Sequence, residues 1–225
     1  MGMIYCERLS ISLTGAHPSP IAAAMHSLRS LRDSLPLFWL VLALPGLWLA
    51  ADWARGAIDP IDLIAPTGEW SARAMIAAML IGPLAGLVGQ RGWLRWLLAR
   101  RRALGVAAFA YALLHLFFYA LDMGELAAII DEMVLPAIWT GWAALALMLP
   151  IALTSNQAAM RMLKRAWKRV QRLAYPAAVL TLLHWLWIHD GASVALLHFA
   201  PLVLVWLGLA AKRIFSSPPL KQAGA

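Results

Sequence analysis

Cysteine and charge are both scarce in this chain. Cys6 is its single cysteine, so the chain holds no internal disulfide and no iron–sulfur or zinc–thiolate site. Charged residues fill only 13% of the 225 positions and hydrophobic residues fill 62%, with a mean hydropathy of +0.72. A soluble globular domain carries about a quarter of charged residues. The composition therefore predicts an integral membrane protein.

The apolar residues fall into six runs that lack the alternation of period two seen in barrel strands. The runs cover residues 36–54, 70–88, 103–121, 135–153, 173–189 and 193–211. A helix that crosses a bilayer needs about 20 residues, and lipid cannot satisfy free backbone groups. We therefore predict an all-α integral membrane protein with a six-transmembrane-helix bundle.

The segments outside the runs have separate interpretations. Residues 1–34 are expected to be a disordered leader, or the result of an overlong start with Met25 as the first residue. The predicted transmembrane domain covers residues 35–213, and a flexible cytoplasmic tail covers residues 214–225. Thr67, between the first two runs, is expected to cap the second span.

Acidic residues number 11 against 19 lysines and arginines, and the two signs occupy different connections. Basic residues precede the first run, separate the second from the third and the fourth from the fifth, and follow the last run. Acidic residues dominate the other connections. The positive-inside rule then places both termini in the cytoplasm. The net charge of +8 thus indicates topology and affinity for the lipid bilayer, not nucleic-acid binding.

The sequence offers no group for substrate chemistry of its own. It has no paired carboxylates within the runs, no nucleophile–base pair and no phosphate-binding loop. One basic connection, residues 154–172, places apolar side chains at helical spacing among six cations. We interpret it as an amphipathic helix on the inner leaflet, with partner docking as the alternative.

Two histidines lie inside apolar runs, His115 in the third and His184 in the fifth. They lie 14 residues beyond Arg101 and 12 beyond Arg172, in runs predicted to cross in the same direction. At about 1.5 Å per residue both imidazoles reach a similar depth in the periplasmic half. Intramembrane ionisable groups are usually functional. We predict that His115 and His184 are the axial ligands of a haem iron.

Other interpretations stay open at these positions. A membrane histidine also hydrogen-bonds to neighbouring helices without any cofactor. Zinc would need a third and fourth ligand, for which the sequence has no candidate at that depth. Arg73 is the basic residue best placed for the haem propionates, with anchoring to lipid headgroups as its alternative. His198 is an alternate ligand or, the interpretation we favour, a surface hydrogen-bonder.

Four stretches carry a resemblance to a known family. They are DPIDLIAPTGEWSARAMIAAMLIGPL (59–84), RRALGVAAFAYALLHLFFYAL (101–121), PIALTSNQAAMRMLKRAWKRVQRLAY (150–175) and LHWLW (183–187). They resemble the MsrQ family, haem-binding membrane subunits of the periplasmic methionine-sulfoxide reductase system, within the ferric-reductase-like transmembrane group. His115 and His184 fall on haem-ligand positions of that family.

The resemblance implies a multi-pass b-type cytochrome of the bacterial inner membrane, with haem b and with FMN as a candidate second cofactor. Such proteins take electrons from quinone or a cytosolic flavin reductase. They pass them to a periplasmic molybdopterin-containing methionine-sulfoxide reductase subunit. The chain is then an electron-transfer subunit of an oxidoreductase system, and its partner performs the substrate chemistry.

Three positions depart from the family pattern. Gln171 stands where a third histidine is usual, and Leu135 and Ala85 stand where arginines are common. Gln171 lies 13 residues before His184, about 20 Å along a continuous helix, at the cofactor-binding position of a second, inner haem. Glutamine is no substitute for imidazole as an iron ligand, so we predict one haem.

These departures leave two alternative functions. One is a diverged ferric-reductase-like cytochrome that serves another acceptor. The other is a haem-free membrane scaffold or transporter, although repeated halves and broken helices of transporters are not evident in the sequence.

Overall fold

The structure is a computed structural model that describes residues 33–188 and 192–216. The described residues contain no strand, and the predicted all-α class is confirmed. Residues 1–32 of the predicted leader and 217–225 of the predicted tail lie outside the described part. In chain order the helices are α1 (Leu35–Ala54), α2 (Pro60–Val88), α3 (Gly92–Met123), α4 (Leu126–Glu132), α5 (Pro136–Leu153), α6 (Gln157–Leu163), α7 (Arg165–Gln171), α8 (Ala174–Ile188) and α9 (Ala192–Ser216).

The chain divides into two compact units, residues 1–40 and 41–225. The first unit contributes only residues 33–40 to the described part, and α1 begins there at Leu35. The second unit contains the remainder of α1 and all the helices from α2 to α9.

Five helices of the described chain are long and apolar enough to cross a membrane, namely α1, α2, α3, α5 and α9. The fifth predicted run forms α8, which covers 15 residues of the described chain and begins after a turn at Arg172 and Leu173. Large apolar side chains on α1 and α9 are well exposed, including Leu44 and Leu197. Such surfaces suit lipid, which is as apolar as leucine itself.

The second helix begins earlier than predicted. Pro60 occupies its first turn, where a missing N–H costs no hydrogen bond, and α2 continues to Val88. Thr67 therefore lies inside α2, and the prediction that it caps the helix is wrong. Its buried hydroxyl instead lies 2.6 Å from the carbonyl oxygen of Leu63 and 2.9 Å from that of Ile64.

Within residues 41–225 the helices pack chiefly in two pairs, α2 with α3 and α5 with α8, and α9 packs on α2 and α8. Small residues allow the close approach. The Ser71 hydroxyl on α2, for example, donates to the carbonyl oxygen of Ala108 on α3 at 2.8 Å. The core between the pairs combines alanine, methionine and aromatic side chains, including Ala72, Met75, Met79, Ala108, Ala177, Ala178, Trp185 and Phe199.

The basic connection forms two short helices where the sequence predicted one. Helices α6 and α7 meet at Lys164, whose φ of +47° is left-handed and cannot continue a right-handed helix. A second break at Arg172 and Leu173 separates α7 from α8. Gln171 and His184 consequently do not share one continuous helix, contrary to the assumption behind their predicted spacing.

Candidate functional site

The two histidines of the apolar runs meet between α3 and α8. The ring centroids of His115 and His184 are 6.0 Å apart, and the ring planes are inclined by 85°. A metal ion holds an imidazole nitrogen at about 2.0 Å, and the ring centre lies about 1.1 Å behind it, so two imidazoles that held one iron from opposite sides would have centres about 6.2 Å apart. The observed separation fits two imidazoles on one iron.

Helix α2 sets the orientation of the His115 ring. Its Nδ1 lies 2.8 Å from the carbonyl oxygen of Ile64. Because a carbonyl only accepts, we infer that Nδ1 carries the proton and that Nε2 of the neutral ring carries the lone pair. The ring also lies against Gly68, where a Cβ atom would be 3.0 Å from Nδ1. A side chain at Gly68 would therefore displace the imidazole.

Helix α5 holds His184 in the same way. Nδ1 of His184 lies 2.6 Å from the carbonyl oxygen of Ala137. A Cβ atom at Gly141 would be 2.8 Å from both Nδ1 and Cε1 of the ring, closer than real contacts allow. The same tautomer follows, with the lone pair on Nε2. This is the usual arrangement of a metal-binding histidine, whose other nitrogen donates to a carbonyl.

A threonine precedes each of these glycines and makes the same contacts. Thr140 Oγ1 lies 2.7 Å from the carbonyl oxygen of Pro136 and 2.8 Å from that of Ala137. Thr67 Oγ1 bridges Leu63 and Ile64 in the same manner, and both threonines are fully buried. Neither Thr-Gly pair was predicted from the sequence as part of the site. Thr-Gly is a common dipeptide and indicates no site by itself. It indicates one here only because it occurs on both helices that contact the intramembrane histidines.

A largely apolar cavity lies between α2, α3, α5 and α8, and both histidines line it. Its walls on α2 and α5 carry small residues at helical spacing, which leaves width for a flat group. Aromatic and aliphatic side chains form most of the rest of its wall, and Glu69 and Tyr119 add polar groups. The small lining residues are Ala65, Gly68, Ala72, Gly141 and Ala144, and the large ones include Trp142, Leu145, Met148 and Trp185.

The donor set suits a haem better than a bare metal ion. Among the residues that the structure describes, no three His, Cys, Asp or Glu side chains come together to hold a metal. Zinc takes three or four protein ligands, which this arrangement does not supply. A haem iron brings four porphyrin nitrogens and needs only two axial ligands from the protein. Two imidazoles beside a small-walled cavity fit that requirement.

Arg73 and His198 form a polar group beside the cavity. The Arg73 guanidinium is paired with Glu69 on the same helix, and its Nε donates to Nε2 of His198 at 3.2 Å. Nδ1 of His198 is 2.8 Å from the carbonyl oxygen of Val194, so both ring nitrogens are engaged. These bonds favour the hydrogen-bonding interpretation of His198. Arg73 lies one turn from Glu69, which lines the cavity.

Gln171 lies at a different place from the histidines. Its Nε2 donates to the carbonyl oxygen of Ile151 at 3.2 Å and to Thr154 Oγ1 at 3.1 Å, both at the C-terminal end of α5. Trp167 Nε1 donates to the carbonyl oxygen of Thr154 at 2.9 Å in the same region. These bonds tie α7 to α5, and the structure does not bring Gln171 to the cavity that contains the histidines.

Comparisons with known proteins cover much of the chain. The model of a family described as ferric reductase like transmembrane component matches residues 67–182. The heme-binding subunit MsrQ of protein-methionine-sulfoxide reductase from Xanthomonas oryzae pv. oryzae is 39% identical over 154 residues, which are 67% of this chain and 66% of that protein. The same subunit from Xanthomonas euvesicatoria pv. vesicatoria is 37% identical over 194 residues, 81% and 84% of the two chains. The five spanning helices and these matches identify a multi-pass membrane protein.

Proposed function

The chain belongs to the MsrQ family of ferric-reductase-like membrane proteins, and on that premise we propose that it is a haem b electron-transfer subunit. Its relatives are named as the heme-binding subunit of a protein-methionine-sulfoxide reductase. One observation carries the proposal: two imidazole rings lie 6.0 Å apart, each with Nδ1 bonded to a carbonyl of a neighbouring helix.

In this proposal His115 and His184 hold the haem, and the bound group supplies one-electron transfer between ferrous and ferric iron. The residues of the chain bind and orient it. Ile64 and Ala137 fix the tautomers through their carbonyl oxygens, and the imidazoles line a largely apolar cavity. We propose Arg73 as a cation for a propionate because it lies one turn from the cavity, with Glu69 as its competitor.

The donor and the acceptor are proposed from the family resemblance. Electrons enter from quinone or a cytosolic flavin reductase and leave to a periplasmic molybdopterin-containing methionine-sulfoxide reductase subunit. The resemblance favours the bacterial inner membrane, and the basic connections favour cytoplasmic termini, which requires α8 to be a short sixth span. The histidines then lie nearer the periplasm, and the cations of α6 and α7 lie on the donor side. FMN rests on the resemblance alone, and flavin fluorescence of the extracted cofactor tests it.

Optical spectroscopy of the detergent-purified protein tests the proposal. We expect a b-type band in the reduced-minus-oxidised spectrum and one haem per chain by pyridine haemochrome assay. His115→Ala and His184→Ala should each abolish the band, because one axial ligand does not hold a low-spin haem in place. His198→Ala, the matched control, should retain it.

Each deviation from that result has a distinct meaning. Two haems per chain would contradict the single site. Wild-type protein without haem, purified from haem-replete cells, would favour the scaffold or transporter alternative. A retained band in both alanine variants would refute the assignment of ligands.

A further inference from the structure

The two histidines are held by the same three-residue arrangement on different helices. We call Ile64, Thr67 and Gly68 the α2 seat, and Ala137, Thr140 and Gly141 the α5 seat. In each seat the first residue supplies the carbonyl oxygen that accepts from histidine Nδ1. The threonine follows three residues later and the glycine four residues later. The hydroxyl of each threonine reaches the same carbonyl that holds the histidine.

Each seat carbonyl is crowded with donors. In an α-helix the carbonyl of residue i accepts the N–H of residue i+4, which is Gly68 in one seat and Gly141 in the other. The threonine hydroxyl is a second, partial donor, because its single proton is shared between the seat carbonyl, at 2.9 Å in the α2 seat and 2.8 Å in the α5 seat, and the carbonyl one residue earlier, at 2.6 and 2.7 Å. The histidine is the third. A carbonyl oxygen has only two lone pairs, so the threonine and the histidine compete for its electron density.

We propose that Thr67 and Thr140 are positioning residues that weaken the hydrogen bond from each histidine Nδ1 and thereby raise the reduction potential of the haem. The inference rests on the proposed function. A strong bond from Nδ1–H to a carbonyl makes the imidazole a more basic ligand, and a more electron-rich ligand favours ferric iron. Each threonine hydroxyl takes up part of the hydrogen-bonding capacity of the carbonyl oxygen, which weakens the bond from histidine Nδ1. The imidazole is then a less basic ligand, and ferrous iron is favoured.

Each seat also needs a glycine, because the imidazole ring lies where a side chain would otherwise be. A seat works only if the ring lies directly on the helix backbone, and a Cβ at Gly68 or Gly141 would be 3.0 or 2.8 Å from ring atoms. Glycine thus admits the imidazole, and threonine one position earlier adjusts how firmly it is held. The same division of roles on α2 and α5 would hold the two histidines toward a haem in similar ways.

Redox titration of the haem band separates this role from a structural one. We expect Thr67→Val and Thr140→Val to keep the wild-type haem content but to shift the midpoint potential to a lower value, and the double variant to shift it further than either single variant. Thr67→Ser and Thr140→Ser keep the hydroxyl and should restore the wild-type potential. Thr67→Ala and Thr140→Ala, which also lack the hydroxyl, replace any valine variant that fails to fold.

Thr154→Val is the matched control. Its hydroxyl lies 2.7 Å from the carbonyl oxygen of Pro150 and 3.3 Å from that of Ile151, so it contacts two helix carbonyls as the seat threonines do, but neither carbonyl holds a histidine and Thr154 does not line the cavity. The potential of this variant should equal that of the wild type. Wild-type potentials in all variants without the Thr67 or Thr140 hydroxyl, or an equal shift in Thr154→Val, would overturn the inference.

A second measurement does not depend on haem. In protein with ¹⁵N-labelled histidine, the Nδ1 proton resonances of His115 and His184 should move downfield when the threonine hydroxyl of the same seat is removed, as expected for a stronger hydrogen bond. Absence of haem in the wild type would refute the proposed function and leave this measurement as the test of the seats. Unchanged proton resonances in haem-free protein would overturn the inference.

Discussion

Two places on α5 receive a hydrogen bond from a side-chain N–H, and they have different consequences. At one, His184 donates to the carbonyl oxygen of Ala137 at 2.6 Å; at the other, Gln171 donates to that of Ile151 at 3.2 Å. An imidazole that donates through one nitrogen keeps a lone pair on the other, directed away from the helix. A glutamine amide keeps only a carbonyl oxygen, a poor ligand for haem iron. The same anchoring bond therefore prepares a ligand in one place and ties two helices in the other.

The largest effect on haem binding is expected when His184 is replaced by glutamine, the residue that stands at position 171. In His184→Gln the amide can still donate to the carbonyl oxygen of Ala137, yet no nitrogen lone pair remains for iron. We expect loss of the b-type band with little loss of folded protein, measured by haem assay and size-exclusion chromatography. His198→Gln, on α9, is the control and should keep its haem. A full haem complement in His184→Gln would show that the ring nitrogen is not the ligand.

A smaller and graded effect is expected from the glycines that admit the rings. Gly141→Ala should lower haem content most, because its Cβ would be 2.8 Å from His184 ring atoms, and Gly68→Ala should lower it less, at 3.0 Å from His115. Crowding of this kind costs about 1–3 kcal/mol. Gly105→Ala lies in the same span as His115 with nothing within 4 Å of its Cβ and should bind haem normally. Equal haem content in all three variants would contradict the hypothesis that Gly68 and Gly141 leave room for the imidazoles.

The smallest effect on haem binding is expected at Gln171. Gln171→Ala removes two hydrogen bonds between α7 and the end of α5. We expect the free energy of unfolding to fall by about 1–3 kcal/mol in total, at roughly 0.5–1.5 kcal/mol per bond. Haem content and potential should not change. Denaturant titration in detergent measures the first and optical titration the second, with the exposed Gln157→Ala as control.

A change of haem content in Gln171→Ala would contradict the contrast between Gln171 and His184, because the glutamine would then belong to a cofactor site. Gln157 serves as the control because it has the same side chain in the same connection and is exposed at the start of α6. Its replacement should leave both stability and haem unchanged.

The helical class and the family were both within reach of the sequence. The class follows from the length and apolarity of runs such as 103–121, and the family from motifs such as those around His115. The ends and breaks of the helices were harder to predict from the sequence. Helix α2 begins at Pro60 in a segment interpreted as a loop, and the basic connection breaks at Lys164, where a left-handed residue interrupts favourable helical spacing. Neither decision follows from composition.

The candidate site was accessible only in part. Matched depth, worked out from the helical rise, indicated that His115 and His184 could share a ligand, and the structure brings their rings together. Their role as haem ligands stays a prediction. The partners of the rings were not accessible, and neither was the pairing of Arg73 with Glu69 and His198. Each depends on which helix faces which.

From the amino-acid sequence alone it follows that this chain enters a membrane as apolar helices and that two of them carry histidines at similar depth. Those properties are sums of local contributions, namely side-chain transfer to lipid and a fixed rise per residue. The packing of the helices, in contrast, selects the carbonyls of Ile64 and Ala137 as the acceptors, 51 and 47 residues away from their histidines. An imidazole is oriented by whichever backbone approaches closely enough to accept its proton, and that approach depends on glycines in neighbouring helices.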